Sequence, residues 1–127
     1  MIAIDTSSLI AFLTGLRGRD VDLLDLALQN KQMILPPVVL TEILSDPKLP
    51  KSVGSLLKTV PVLEISEGYW ERSGVLRAKI ILKGLRARLA DTLIAQSCLD
   101  HDIALITRDG DFRHFARHGG LKLFPAG

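Results

Sequence analysis

The chain has 127 residues, 47% hydrophobic and 24% charged, which fits a single domain of roughly 100–200 residues and is too apolar for a disordered polypeptide. Its longest apolar run, Met33 to Leu40, is broken by Pro36 and Pro37 and falls short of the ~18 residues of a membrane span; the one cysteine, Cys98, offers no internal disulfide and no Cys-only zinc site, and burial is expected for it. A formal net charge of +2 does not by itself announce a nucleic-acid partner, and an amino terminus without a secretory-leader pattern makes the cytoplasm the expected compartment.

Met1 to Ile4 is a short apolar run ended by Asp5-Thr6-Ser7-Ser8, a buried-strand pattern followed by residues that start helices. Leu9, Ile10, Leu13 and Leu16 recur at helical spacing until Gly15 and Gly18 interrupt them, and Asp20 or Asp22 opens a second helix through Leu23, Leu24, Leu26, Ala27 and Leu28. Met33-Ile34-Leu35 reads as a strand. Pro36-Pro37 ends it and suits the first turn of a helix through Val38 to Leu44. A two-proline loop, Asp46 to Pro50, leads to a short helix around Leu56 and Leu57 and a third strand over Val60 to Ile65. Tyr69 to Lys83 is helical up to Gly84, and a further helix covers Leu89 to Asp100. Ile103 to Thr107 is the clearest strand, and Leu121 to Phe124 is expected to be the last. Strands alternating with helices predict an α/β fold with a mostly parallel sheet and right-handed crossovers, in one domain spanning residues 1–127.

In open parallel sheets the functional groups collect beyond the carboxyl ends of the strands. Asp5 falls there after the first strand, and Asp109 and Asp111 fall there after the strand that ends at Thr107. Two helices supply further acids. Glu42 follows Val38 by four residues and Val39 by three, and Asp91 precedes Ile94, Ala95 and Cys98 by three, four and seven; both are expected to point toward the core side. Each acid has a plainer reading. Asp5 suits a helix N-cap, Asp91 a cap for a helix starting at Thr92, Asp109-Gly110 a turn, and Asp111 the start of a short helix, while a rotated helix would turn Glu42 to solvent. Their coincidence at four element ends points instead to a shared requirement. Clustered carboxylates ionise together only around a compensating positive charge, and the all-oxygen set suits Mg²⁺ or Mn²⁺. The three histidines, His101, His114 and His118, lack zinc-site spacing. A cation held this way polarises a phosphodiester and activates water, so the favoured chemistry is phosphodiester hydrolysis.

The basic residues Arg72, Arg77, Lys79, Lys83, Arg86 and Arg88 follow one another with no acid among them. Such a run is either a solvated helix face or a docking track for a polyanion. Tyr69 and Trp70 offer rings that stack on bases, but their spacing to Leu76 and Ile80 favours core packing. Phe12, Leu16 and Leu24 are candidate contacts for a second copy or another protein.

Four runs carry a resemblance: Ile2-Ala3-Ile4-Asp5-Thr6-Ser7-Ser8-Leu9-Ile10, Leu35-Pro36-Pro37-Val38-Val39-Leu40-Thr41-Glu42-Ile43, Leu89-Ala90-Asp91-Thr92-Leu93-Ile94-Ala95 and Ala104-Leu105-Ile106-Thr107-Arg108-Asp109-Gly110-Asp111-Phe112. In this order they resemble the motif set of the PIN-domain nucleases, and more narrowly the VapC-type toxins of toxin–antitoxin pairs, across nearly the whole chain. The resemblance implies a three-layer α/β/α sandwich, Mg²⁺- or Mn²⁺-dependent endoribonuclease activity on an RNA substrate, a homodimer, and a VapB-like antitoxin as partner. Asp5, Glu42 and Asp91 match the first three family acids. Asp109 and Asp111 both fall in the last motif, with Asp109 the favoured fourth catalytic acid and Asp5, Asp91, Asp109 and Asp111 the implied metal ligands. Thr6 and Thr107 match supporting hydroxyl positions. On this reading Arg72, Lys79, Lys83, Arg86 and Arg88 become candidate RNA-backbone contacts. The competing reading is a catalytically silent module that keeps the fold and binds RNA or a protein.

Overall fold

The computed structural model describes residues 1–125; Ala126 and Gly127, the end of the expected domain, lie outside the described residues. Three short strands, β1 (Ile2–Ile4), β2 (Met33–Ile34) and β3 (Leu105–Ile106), form a sheet in the order β2-β1-β3. Both pairings are parallel, with Ile2 opposite Met33 and Ile4 opposite Ile106. Parallel neighbours need crossover connections, and helices supply them. α1 (Thr6–Leu13) and α2 (Arg19–Gln29) join β1 to β2. α3 (Pro37–Leu44), α4 (Lys51–Leu57), α5 (Tyr69–Leu82) and α6 (Leu89–His101) lie between β2 and β3, and α7 (Phe112–Gly119) follows. The result is the three-layer α/β/α sandwich. Ala3, Ile4, Leu105 and Ile106 are fully buried within it, as are Phe112 and Phe115 of α7 and Cys98 of α6.

The expected third and last strands shrink to single contacts. Val62 bridges Leu35 and Leu123 bridges Leu105, each in parallel sense and extending the sheet by one position at either edge. Pro61 interrupts the first of these segments and has no N–H to donate; only its carbonyl is used, accepting from the Leu35 N–H at 2.9 Å. Leu24, expected as a candidate surface contact, is instead fully buried, whereas Leu16 is exposed and Phe12 half-buried. The aromatic pair divides. Tyr69 is buried and its hydroxyl donates to the Leu93 carbonyl at 2.6 Å, while Trp70, expected to pack, stands 60% exposed at the edge of the Tyr69 ring.

α5 and α6 form a hairpin whose turn contains Gly84, at φ +74°, a conformation that side chains with a Cβ rarely adopt. α7 packs on α5 at Gly119, where an added Cβ would come within 2.8 Å of Leu76 Cδ1.

Candidate active site

Neighbouring strands release two residues side by side. Because Ile4 lies opposite Ile106, Asp5 and Thr107 leave the carboxyl edge together, and the Thr107 hydroxyl donates to Asp5 Oδ2 at 2.8 Å. The Ser7 hydroxyl donates to the same oxygen at 2.6 Å. Asp5 occupies the N-cap position of α1 but makes no side-chain cap bond, which removes the plain capping explanation. It is only 3% exposed. Burial pushes its carboxyl above the ordinary value, and the Ser7 and Thr107 hydroxyls pull in the opposite direction.

Thr107 also organises the loop that follows. Its Oγ1 accepts the Asp109 N–H at 3.0 Å, and Asp109 Oδ1 accepts the Asp111 N–H at 2.9 Å. Asp91 approaches the same loop from α6. It sits in the first turn of the helix, whose N-cap is Arg88, so it is not the cap of a helix starting at Thr92. One carboxylate oxygen each from Asp91, Asp109 and Asp111 lie within 4.8 Å of one another, the one such cluster among the described residues. Among the described residues, Asp91 Oδ2 is buried with no hydrogen-bond partner. Burial first, then the charges of Asp5 and Asp109, and more weakly Glu42, push the Asp91 carboxyl up to about 6 against the opposing pull of Arg88.

Glu42 is not turned inward as the helical spacing suggests. α3 buries Val39 and Ile43, leaving Glu42 on the margin of that stripe and exposed, where the Thr6 hydroxyl donates to Oε1 at 2.6 Å. The site is therefore a graded set of acids: Asp5 deep, Asp91, Asp109 and Asp111 half-buried, and Glu42 at the rim. A hard dication fits this donor set. Every ligand atom is a carboxylate oxygen, three of them already converge, and the Asp91 oxygen left without a donor is an acceptor for which the described residues supply no proton.

The basic run splits in two. Arg86 Nη1 lies 3.9 Å from Asp111 Oδ2, and Arg88 begins α6 beside Asp91. Lys79 on α5 and Lys83 just past its end are exposed and make no ion pair among the described residues. Arg72, expected on the same polyanion track, is taken by other partners: it donates to Asp100 at 2.9 and 2.7 Å, to the Glu67 carbonyl at 2.8 Å and to Ser66 at 2.9 Å. Asp100 lies nine residues beyond Asp91, about 13 Å along the α6 axis. Arg72 therefore belongs to the far end of the helix. Sequence reasoning passed over Ser7 as a site residue; a hydroxyl two positions after an acid at a strand end is the signal that marks it.

Residues 2–118 match the PIN domain family. The fold is similar to a chain of VapBC2 from Rickettsia felis, solved bound to a DNA fragment from their promoter, with a TM-score of 0.72, 23% identity and 97% of each chain covered. A toxin–antitoxin complex from Klebsiella pneumoniae matches with a TM-score of 0.70 and 23% identity over 100% of both chains. FitAcB from Neisseria gonorrhoeae follows with a TM-score of 0.68 and 19% identity, covering 97% of this chain and 96% of that one. No curated protein matches the sequence.

Proposed function

The chain belongs to the PIN domain family, and on that premise we propose that it is a Mg²⁺- or Mn²⁺-dependent endoribonuclease acting as the toxin of a VapBC-like toxin–antitoxin pair. The observation that carries this reading is the convergence of Asp91 with Asp109 and Asp111, whose carboxylate oxygens lie within 4.8 Å of one another, one Asp91 oxygen being buried and unpartnered among the described residues. Likeness to solved VapBC and toxin–antitoxin complexes supports a VapB-like antitoxin as the inhibitor. A homodimer in the cytoplasm completes the proposal.

In this reading Asp91, Asp109 and Asp111 would hold the cation together with Asp5. When bound, the dication supplies Lewis-acid polarisation of the phosphodiester and lowers the pKa of a bound water. Ser7 and Thr107 fix the Asp5 carboxylate by holding Oδ2, and Thr6 fixes Glu42 through Oε1. Glu42 Oε2, at the rim, would accept the proton of the attacking water. Arg86 and Arg88 beside the acids, with Lys79 and Lys83 at the carboxyl end of α5, hold the RNA backbone without reading its bases. Arg72 is left out of that set because its guanidinium is already bonded to Asp100.

The test is cleavage of structured RNA with Mg²⁺, with Mn²⁺ and with EDTA, for the wild type and for Asp5→Ala and Asp91→Ala. Metal-dependent product that disappears in both variants supports the proposal. RNA binding without such product would make the chain the silent module instead. Growth arrest on induction, relieved by co-expression of an antitoxin encoded beside it, tests the toxin assignment.

A further inference from the structure

Arg108, within the loop that carries Asp109 and Asp111, forms an ion pair that uses none of the clustered acids. Arg108 donates from Nε to Asp20 Oδ2 at 2.8 Å and from Nη2 to Asp20 Oδ1 at 3.0 Å, with a further bond to the Arg17 carbonyl at 3.2 Å. Ser8 of α1, fully buried, donates to Asp20 Oδ2 at 2.7 Å. Gly18 leaves the room this fork needs, since a Cβ there would lie 2.5 Å from Asp20 Oδ1 and 2.8 Å from Arg108 Nη2.

We infer that Arg108 is a positioning residue of the acidic site, pinning the 107–111 loop to α2 so that Thr107 and Asp109 stay against Asp5 and Asp91. The inference rests on the proposed metal-dependent reading for its consequence, but its physics is independent of that reading. Residues 107–111 form no regular structure, and the like charges of Asp5, Asp91, Asp109 and Asp111 push the loop outward. Thr107 ties it to Asp5, and the two-pronged Arg108–Asp20 pair opposes the repulsion from the residue immediately between Thr107 and Asp109. A fork of this kind fixes orientation as well as distance, which a lysine does not.

Amide hydrogen exchange on the metal-free full chain, and Mn²⁺ titration of the same samples, test it with Arg108→Ala, Arg108→Lys and Asp20→Asn. The expected result is exchange at the Asp109 and Asp111 amides accelerated about tenfold or more in Arg108→Ala and Asp20→Asn, with the α6 amide of Ala95 unchanged. Mn²⁺ affinity should fall about tenfold, as for loss of an outer partner of a metal ligand, and Arg108→Lys should lie between. Wild-type exchange and wild-type Mn²⁺ affinity in Arg108→Ala would overturn the inference. If that variant does not fold, Arg108→Lys and Gly18→Ala, which crowds the fork, carry the same two readouts: faster loop exchange with weaker Mn²⁺ binding supports the clamp, and wild-type values in both overturn it. Should the wild type cleave no RNA or bind no Mn²⁺ while the exchange effect holds, the nuclease reading falls and the clamp stands.

Discussion

Two aspartates on α6 meet opposite fates. Asp100, near the carboxyl end of the helix, receives both prongs of Arg72 as well as Gln96 at 2.8 Å and Ser66 at 3.3 Å. Its carboxyl is held below the ordinary value, chiefly by Arg72. Asp91, in the first turn, keeps a buried oxygen with no donor and is pushed up to about 6. The helix dipole alone predicts the reverse, because it favours a negative charge at the amino end and disfavours one at the carboxyl end. The surroundings outweigh it. Where the fold needs an acid for its own cohesion it provides a guanidinium; around Asp91 it provides burial and more acids, an arrangement that an added cation would complete.

The sharpest way to break this contrast is to remove the orphan. Asp91→Ala is expected to lower metal-dependent RNA cleavage by at least about 100-fold, exceeding the effect of losing an outer partner of a ligand, whereas Asp100→Asn should leave the rate within about twofold at a temperature where both are folded. Single-turnover cleavage assays compare them directly.

Stability against pH should separate the two acids in sign. The Asp91 carboxyl is raised in the folded state, so its contribution in the metal-free chain is fully present below about pH 4 and is lost as pH rises through about 6. Asp91→Asn should therefore stabilise the metal-free chain at pH 7.5 by about 1–2 kcal/mol, a value reduced to allow for partial exposure, with the gain vanishing toward pH 4 in denaturant titrations. Asp100 is lowered, so its contribution is present above the ordinary carboxylate range and is lost as pH falls through its depressed value. Arg72→Ala should lower the thermal midpoint at pH 7.5 and leave Mn²⁺ affinity unchanged. The smallest effect is expected at Lys83: Lys83→Ala should weaken RNA binding about two- to threefold and reduce the salt slope by about one, measured by fluorescence anisotropy across a salt series.

The acids were legible because their positions follow from topology. A parallel sheet sends its strand ends to one edge, and Asp5 and Asp109 sit at such ends in the chain. Helical spacing correctly brought Asp91 toward the interior but misjudged Glu42, since a residue three positions from Val39 lies at the margin of the buried stripe and small rotations of α3 decide its side. Partners remote in sequence were illegible. Arg72 reads as a free cation until Asp100, 28 residues away, turns out to face it, and Arg108 finds Asp20 across 88 residues. The short edge strands failed for a related reason: one bridge apiece leaves almost no alternation to read.

The bond between Thr107 and Asp5 joins positions 102 residues apart. A ribosome has to release Thr107 before that contact closes, so a nascent chain holding Asp5, Glu42 and Asp91 still lacks the loop that carries Asp109 and Asp111. Translation thus imposes its own order on the acidic cluster: Asp5, Glu42 and Asp91 are made first, and Asp109 and Asp111 arrive only with the loop that joins them.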